Sequence, residues 1–141
     1  MPATIRVVNM YTKATGTVVN TTSKAAGSWE RDLSPFHLGP CDLYEGHTAV
    51  VMENAWQYSK LYACHATDSG EPLSAHWDWA EAGWADPIPR RYPMGRGAKP
   101  LCSLWEGKRY GYIDARKKIY APLYAEAVQR MAGWKKLREL Y

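Results

Sequence analysis

Phenylalanine is nearly missing from this chain: a single Phe stands against seven Trp and ten Tyr. Trp and Tyr carry a polar handle on a flat ring, so the bias suits partly wet walls that bind rings, or a small core and its rim. Cysteine is scarce as well. Cys41, Cys64 and Cys102 are odd in number, far apart and form no CxxC pair. Neither a disulfide framework nor a cysteine zinc site follows, and a reduced, cytoplasmic setting is the expectation. His37, His47, His65 and His76 show no HxxxH or HExxH spacing, so no metal site is expected. No apolar run approaches the ~20 residues of a membrane span, and no signal-peptide pattern opens the chain. No membrane partner is therefore expected. Internal repeats and low-complexity tracts are absent too.

What is there fits one globular domain. A chain of 141 residues is long enough to bury roughly two-thirds of its unfolded surface. The net charge of +4 is mildly basic, which favours a phosphate-bearing ligand or nucleic acid without requiring either. The expected class is α+β, mainly helical, with small β-hairpins in the N-terminal half.

Along the chain, residues 3–9 alternate as a strand does, and 17–20 are a candidate partner, giving a hairpin across 4–20. Residues 21–35 read as an irregular connection, and Ser34–Pro40 as a stiff, proline-punctuated loop. Residues 42–50 read as a short hairpin turning at Glu45–Gly46. It delivers the chain into a helix that begins near Met52 and runs to Tyr62. A polar break follows at 67–72, then a short helix over 74–82 with Ser74 as N-cap and Gly83 as its end. The stretch 86–100 holds four prolines, two glycines and four basic residues. Irregular loops of that length are more often functional than idle. A helix is predicted over 112–120. Pro122 kinks or restarts it, and 122–131 carries Leu123, Ala127, Val128 and Met131 on a buried face. Gly133 separates a last turn or two over 134–140.

The Met52–Tyr62 stretch organises the rest. No glycine or proline interrupts it, and Glu53, Trp56, Gln57 and Lys60 fall at i, i+3, i+4 and i+7. Ala55, Tyr58, Ser59 and Tyr62 lie on the opposite, core-facing side. Two readings of the stripe stand open. It is a solvated face with a Glu–Lys pair, worth a few tenths of a kcal/mol. Or it is a pocket wall offering an acid, an amide, an amine and a stacking ring together.

A resemblance bears on that choice. Leu33–Phe36 in a loop, Tyr44-Glu45-Gly46 in a hairpin, and Glu53, Gln57 and Lys60 at their helical spacing resemble the N-terminal signature of the NADAR family, small N-glycosidases acting on ribosylated bases. Asp114-Ala115-Arg116, Val128, Leu137 and Leu140 look similar to elements of the family's C-terminal third. The chain departs from the family at Asn54, where a His is usual, and the 63–100 segment aligns only through a Gly-Arg pair. The likeness covers about half the chain and suits a divergent, phage-borne branch with its own substrate.

The resemblance implies a NADAR-like domain that cleaves the bond between a base and a ribose or ADP-ribose. Glu53 would be the acid/base and Lys60 a nucleophile or electrostatic partner. Gln57 would orient the substrate, and Trp56 and Phe36 would stack on it. Core packing is the competing fate for both rings. Arg96, with Arg90, Arg91 and Lys99, would hold a phosphate or form a solvated basic loop. Asp114 would be a second carboxylate or would simply favour a helix dipole. The Trp77, Trp79 and Trp84 cluster reads as packing, with a stacking surface for single strands as the other reading. The expected partner is a nucleotide or an ADP-ribosylated base. No cofactor is expected, since no dinucleotide fingerprint occurs. The rival is a non-catalytic nucleotide or nucleic-acid binder using the Trp/Tyr wealth and the basic loop.

Overall fold

A computed structural model describes residues 4–25 and 28–140 and shows an α+β arrangement with two small antiparallel sheets. The first sheet is the expected hairpin. Strands β1 (Cys41–Asp42) and β2 (Thr48–Ala49) pair through Cys41 with Ala49 and Asp42 with Thr48. Glu45 and Gly46 at the turn have φ of 49° and 80°, a left-handed pair that places Gly where it costs least.

The expected hairpin across 4–20 does not form. Residues 4–20 carry no regular structure, and Val7 is 98% and Tyr11 82% exposed. (Ala3 lies outside the described residues.) Alternation alone has no face to bury here, and an isolated two-stranded ribbon is marginal in water. The 21–35 connection is more ordered than expected, since Ser28–Leu33 form a 3-10 helix. Leu33 is buried in the main core, and the Asp32 carboxylate accepts the Gly133 N–H at 2.7 Å.

Helix α1 (Met52–Gln57) is shorter than its periodicity predicted, ending at Gln57 with Tyr58 as C-cap. Lys60 and Leu61 instead form strand β3, which pairs with β4 (Cys102–Trp105), and β4 pairs with β5 (Lys108–Tyr110). This sheet had no counterpart in the sequence reading. Its signal was present in Glu106–Gly107, which turns β4 into β5 with φ of 54° and 78° at the two residues. A six-residue helix has little stability of its own. Its first N–H groups are taken up by the 34–40 loop, Met52 donating to the Leu38 carbonyl at 3.0 Å and Glu53 to that of Pro35 at 2.9 Å.

Helix α2 spans Ser74–Ala85, so Gly83 lies inside it and Ser74 does not cap it through its side chain. Its buried residues His76, Ala80, Gly83 and Trp84 make one stripe. Gly83 is there for contact rather than for ending the helix: a Cβ would come within 2.1 Å of the Tyr58 ring. Helix α3 (Tyr112–Ala115) runs through a π-turn (Arg116–Tyr120) into α4 (Ala121–Val128). The kink or restart expected at Pro122 is met by a continuous helical run, in which the ladder has already widened in the π-turn ahead of it and the missing N–H is accommodated. Leu123, Ala127 and Val128 are buried as expected, and Met131 is half-buried. Helix α5 (Ala132–Glu139) includes Gly133, whose Cβ would meet the Trp29 carbonyl oxygen at 2.3 Å. Among the described residues, no helix is long and apolar enough to cross a membrane.

The main core gathers Leu33, Leu38, Met52, Ala55, Tyr58, Ala80, Trp84, Leu123, Ala127 and Val128. Trp84 is almost fully buried, and Trp79 stacks at 4.5 Å on Tyr58, so packing accounts for the tryptophan cluster. His76 is buried beside Trp77, Trp79 and His65, with its Nδ1 unpartnered, and burial pulls its pKa down from 6.5 to about 4. A second, smaller core of Trp56, Ala115 and Ile119 joins α1 to the π-turn.

Two outcomes follow from this packing. Gly83→Ala should lose about 1–3 kcal/mol in denaturant unfolding, while Gly111→Ala, whose Cβ meets nothing, should stay within about 0.5 kcal/mol. His76 has a depressed folded pKa, so its contribution is full above pH 6.5 and is lost as pH falls through about 4. Stability from this source should fall by about 3 kcal/mol across that window, and His76→Leu should flatten the slope.

Candidate active site

Glu53 sits in the first turn of α1 and is only 6% exposed. The Gln57 side-chain amide donates to its Oε1 at 2.9 Å, one helical turn along. Lys60 Nζ in turn donates to Gln57 Oε1 at 2.9 Å and stands 5.1 Å from the Trp56 ring centre. The three polar groups of the predicted stripe therefore form a chain from amine through amide to carboxylate. Lys60 reaches it from β3 rather than from the helix. Strand pairing to Ser103 holds its backbone, which is how the contact survives the helix ending at Gln57.

Two members of the stripe, Glu53 and Trp56, face a cleft, and Gln57 and Lys60 stand behind them. A space of about 280 Å³ is lined by Glu53, Trp56, Tyr112, Arg116 and Tyr120. Trp56 is buried and meets Tyr120 edge-on at 5.3 Å, so it belongs to the small core and to the cleft wall at once. Arg116 lies over the Tyr112 ring at 5.6 Å. Burial raises the Glu53 pKa, opposed by the Gln57 hydrogen bond and by the positive charges of Arg91 and Lys60. Burial lowers that of Lys60, opposed by Glu53. Tyr120 is pushed up to about 12, by burial first and then by the Glu53 charge. A carboxyl that holds its proton more firmly, joined through an amide to an amine that gives one up more readily, is suited to proton transfer. The solvated-face reading does not hold for this stripe, because its carboxylate is buried.

The remaining sequence candidates divide. Phe36 is half-buried in the 34–40 loop, with the Arg91 guanidinium 4.6 Å over its ring. Of the basic loop, Arg91 is the member whose charge acts on Glu53, whereas Arg96 is exposed, stacks on Tyr92 at 5.1 Å and does not line the cleft. Asp114 is exposed in the first turn of α3 and stays outside the cleft, although Tyr112 and Arg116 on either side of it line the wall. A negative charge there favours the helix dipole. Tyr112, Arg116 and Tyr120 were not singled out from the sequence. Their spacing of four and four residues puts them along one helical face, a readable signal.

Comparisons with protein-family models, characterised proteins and solved structures found no match for this chain. The site is therefore judged on its own chemistry. A larger space of about 510 Å³ lies beside the Thr67–Gly70 turn, Cys102 and Arg109. Its thiol is raised in pKa by burial, which weakens it as a nucleophile, and no buried carboxylate faces it. Volume is outweighed by chemistry, and the Glu53 cleft is the better candidate. Among the described residues, no group of three or more His, Cys, Asp or Glu is placed to hold a metal.

Glu53 has a raised folded pKa, so its contribution to stability is full below about pH 4.5 and is lost as pH rises through the folded value. Glu53→Gln should therefore gain stability relative to wild type as pH rises through the folded value, with the advantage vanishing towards pH 4 in paired denaturant titrations.

Proposed function

We propose that this protein is a NADAR-like N-glycosidase that hydrolyses the bond between a base and a ribose or ADP-ribose moiety. The observation that carries the reading is the buried Glu53 carboxyl opening onto an aromatic cleft, tied through Gln57 to Lys60. Protonated Glu53 gives its proton to the departing base nitrogen as the C1–N bond breaks. Water then adds to C1 and returns a proton to the Glu53 carboxylate, so the products are free base and the sugar hydroxyl. Lys60 acts as an electrostatic partner that steadies this cycle, or, when neutral, its Nζ displaces the base from C1 and loses a proton, and water then hydrolyses the N–C1 adduct to return the free amine and the sugar hydroxyl. Trp56, Tyr112 and Tyr120 supply flat surface for the base, and Arg116 at the wall suits a phosphate.

A second reading has its own support. Arg116, Lys117 and Lys118 are consecutive and exposed, and Arg91 is exposed across Phe36. A binder of nucleotide or nucleic acid would use the same aromatic wall without turnover, with affinity falling steeply as salt rises.

Mass spectrometry of reactions with an ADP-ribosylated guanine oligonucleotide, and with a panel of ribosylated nucleotides, separates the two. Wild type should release free base, Glu53→Gln should lose about 100-fold or more of the rate, and Lys60→Ala should also be impaired. The rate should fall as pH rises through the Glu53 pKa, because the protonated acid is needed. Absence of turnover on every substrate, with salt-sensitive binding kept in Glu53→Gln, would establish the binding reading instead.

A further inference from the structure

Asn54, next to Glu53 on α1, is fully buried and uses its whole side chain on one stretch of backbone. Its Nδ2 donates to the carbonyls of Asp86 at 3.0 Å and Ile88 at 2.8 Å, while its Oδ1 accepts the Arg90 N–H at 2.8 Å. The stretch is also tied within itself. Asp86 accepts the Ile88 N–H at 2.9 Å on one carboxylate oxygen and Arg90 Nε at 2.9 Å on the other. A segment without regular secondary structure is thereby held as a unit against α1. The next residue, Arg91, lays its guanidinium on the Phe36 ring. The loop that carries this ring is anchored to α1 in turn, because the preceding Pro35 carbonyl accepts the Glu53 N–H.

We infer that Asn54 is a positioning residue, whose buried carboxamide clamps the 86–90 backbone and so holds Arg91 over Phe36, in the loop whose Pro35 carbonyl accepts the Glu53 N–H. The inference rests on the reading of Glu53 as the working acid, though its test does not need turnover. Glu53 is bonded to the Gln57 amide, which Lys60 bonds in turn from β3, and it shares its cleft with Tyr112, Arg116 and Tyr120, while the charge of Arg91 acts on it from the clamped loop. Of the cations, Arg91 and Lys60 counter the effect of burial on Glu53. Lys60 is held by strand pairing and does not depend on Asn54. Arg91 does. The clamp keeps the buried acid from binding its proton too tightly to release it. A bulky or shifted loop would change the acid without touching the substrate.

The experiment is a carbon-detected NMR titration of the Glu53 carboxyl, assigned by its loss in Glu53→Gln, in the full chain. Asn54→Ala and Arg91→Ala should each move its midpoint upward beyond titration error. The double variant should move it no further than Arg91→Ala alone, because both changes remove the same charge. An unmoved midpoint in Asn54→Ala, or shifts that add in full, would overturn the inference. Should Asn54→Ala fail to fold, two other readouts decide. The Arg90 amide in wild type should exchange as slowly as the α2 core, and Phe36→Leu should raise the Glu53 midpoint. Fast exchange at Arg90, or no movement in Phe36→Leu, would count against the clamp. Loss of the N-glycosidase reading shows as turnover that survives Glu53→Gln, an outcome independent of these midpoints.

Discussion

Helix α1 is too short to stand alone, and its burial is the constraint on which the rest depends. Five of its six residues, Met52 to Trp56, are buried, so both polar and apolar members must be satisfied by other parts of the chain. Met52 and Ala55 join the main core, and Trp56 joins the smaller one with Ala115 and Ile119. Neighbours on every side are recruited to complete the helix. The 34–40 loop supplies acceptors for its first N–H groups, α2 packs Gly83 on the Tyr58 ring that ends it, and the π-turn covers Trp56.

The same burial produces the chemistry. A carboxylate placed on a solvated helix would be an ordinary acid, and its lysine partner a surface ion pair of little consequence. Here Glu53 is buried and Lys60 half-buried, and they are joined by Gln57 rather than by direct contact. Burial moves their proton affinities towards one another, which favours passing a proton at this site. Asn54 extends the arrangement outward. Where a charged or half-satisfied side chain would be costly, an amide with three backbone bonds is fully used, and it links the acid to an irregular loop 32 to 36 residues away.

Much of this was readable in the chain. Glu53, Trp56 and Gln57 share a face because helical spacing puts them there, and the Glu45–Gly46 turn follows from local backbone preference. The α4 region was likewise visible in its apolar face, and α2 was placed from its flanks, although Ser74 does not cap it and Gly83 does not end it. Failures came where a local pattern lacked a partner surface. The alternation in 4–20 found nothing to cover it, and the helix expected to reach Tyr62 gave way at Lys60 to pairing with Ser103. Gly83 and Gly133 look like helix stops, yet each is a point of close approach inside a helix.

By itself the sequence determined the residue types on the 53–60 stripe and their order, the hairpin turns and the aromatic wealth that lines the cleft. These depend on neighbours within a few residues, where dihedral preference and periodicity act. Tertiary structure decided which of them face one another. It brought Tyr112, Arg116 and Tyr120 across from Glu53, chose Arg91 over Arg96, and left Asp114 outside. Those outcomes turn on contacts between segments dozens of residues apart, settled by burial and hydrogen-bond satisfaction that no local pattern encodes.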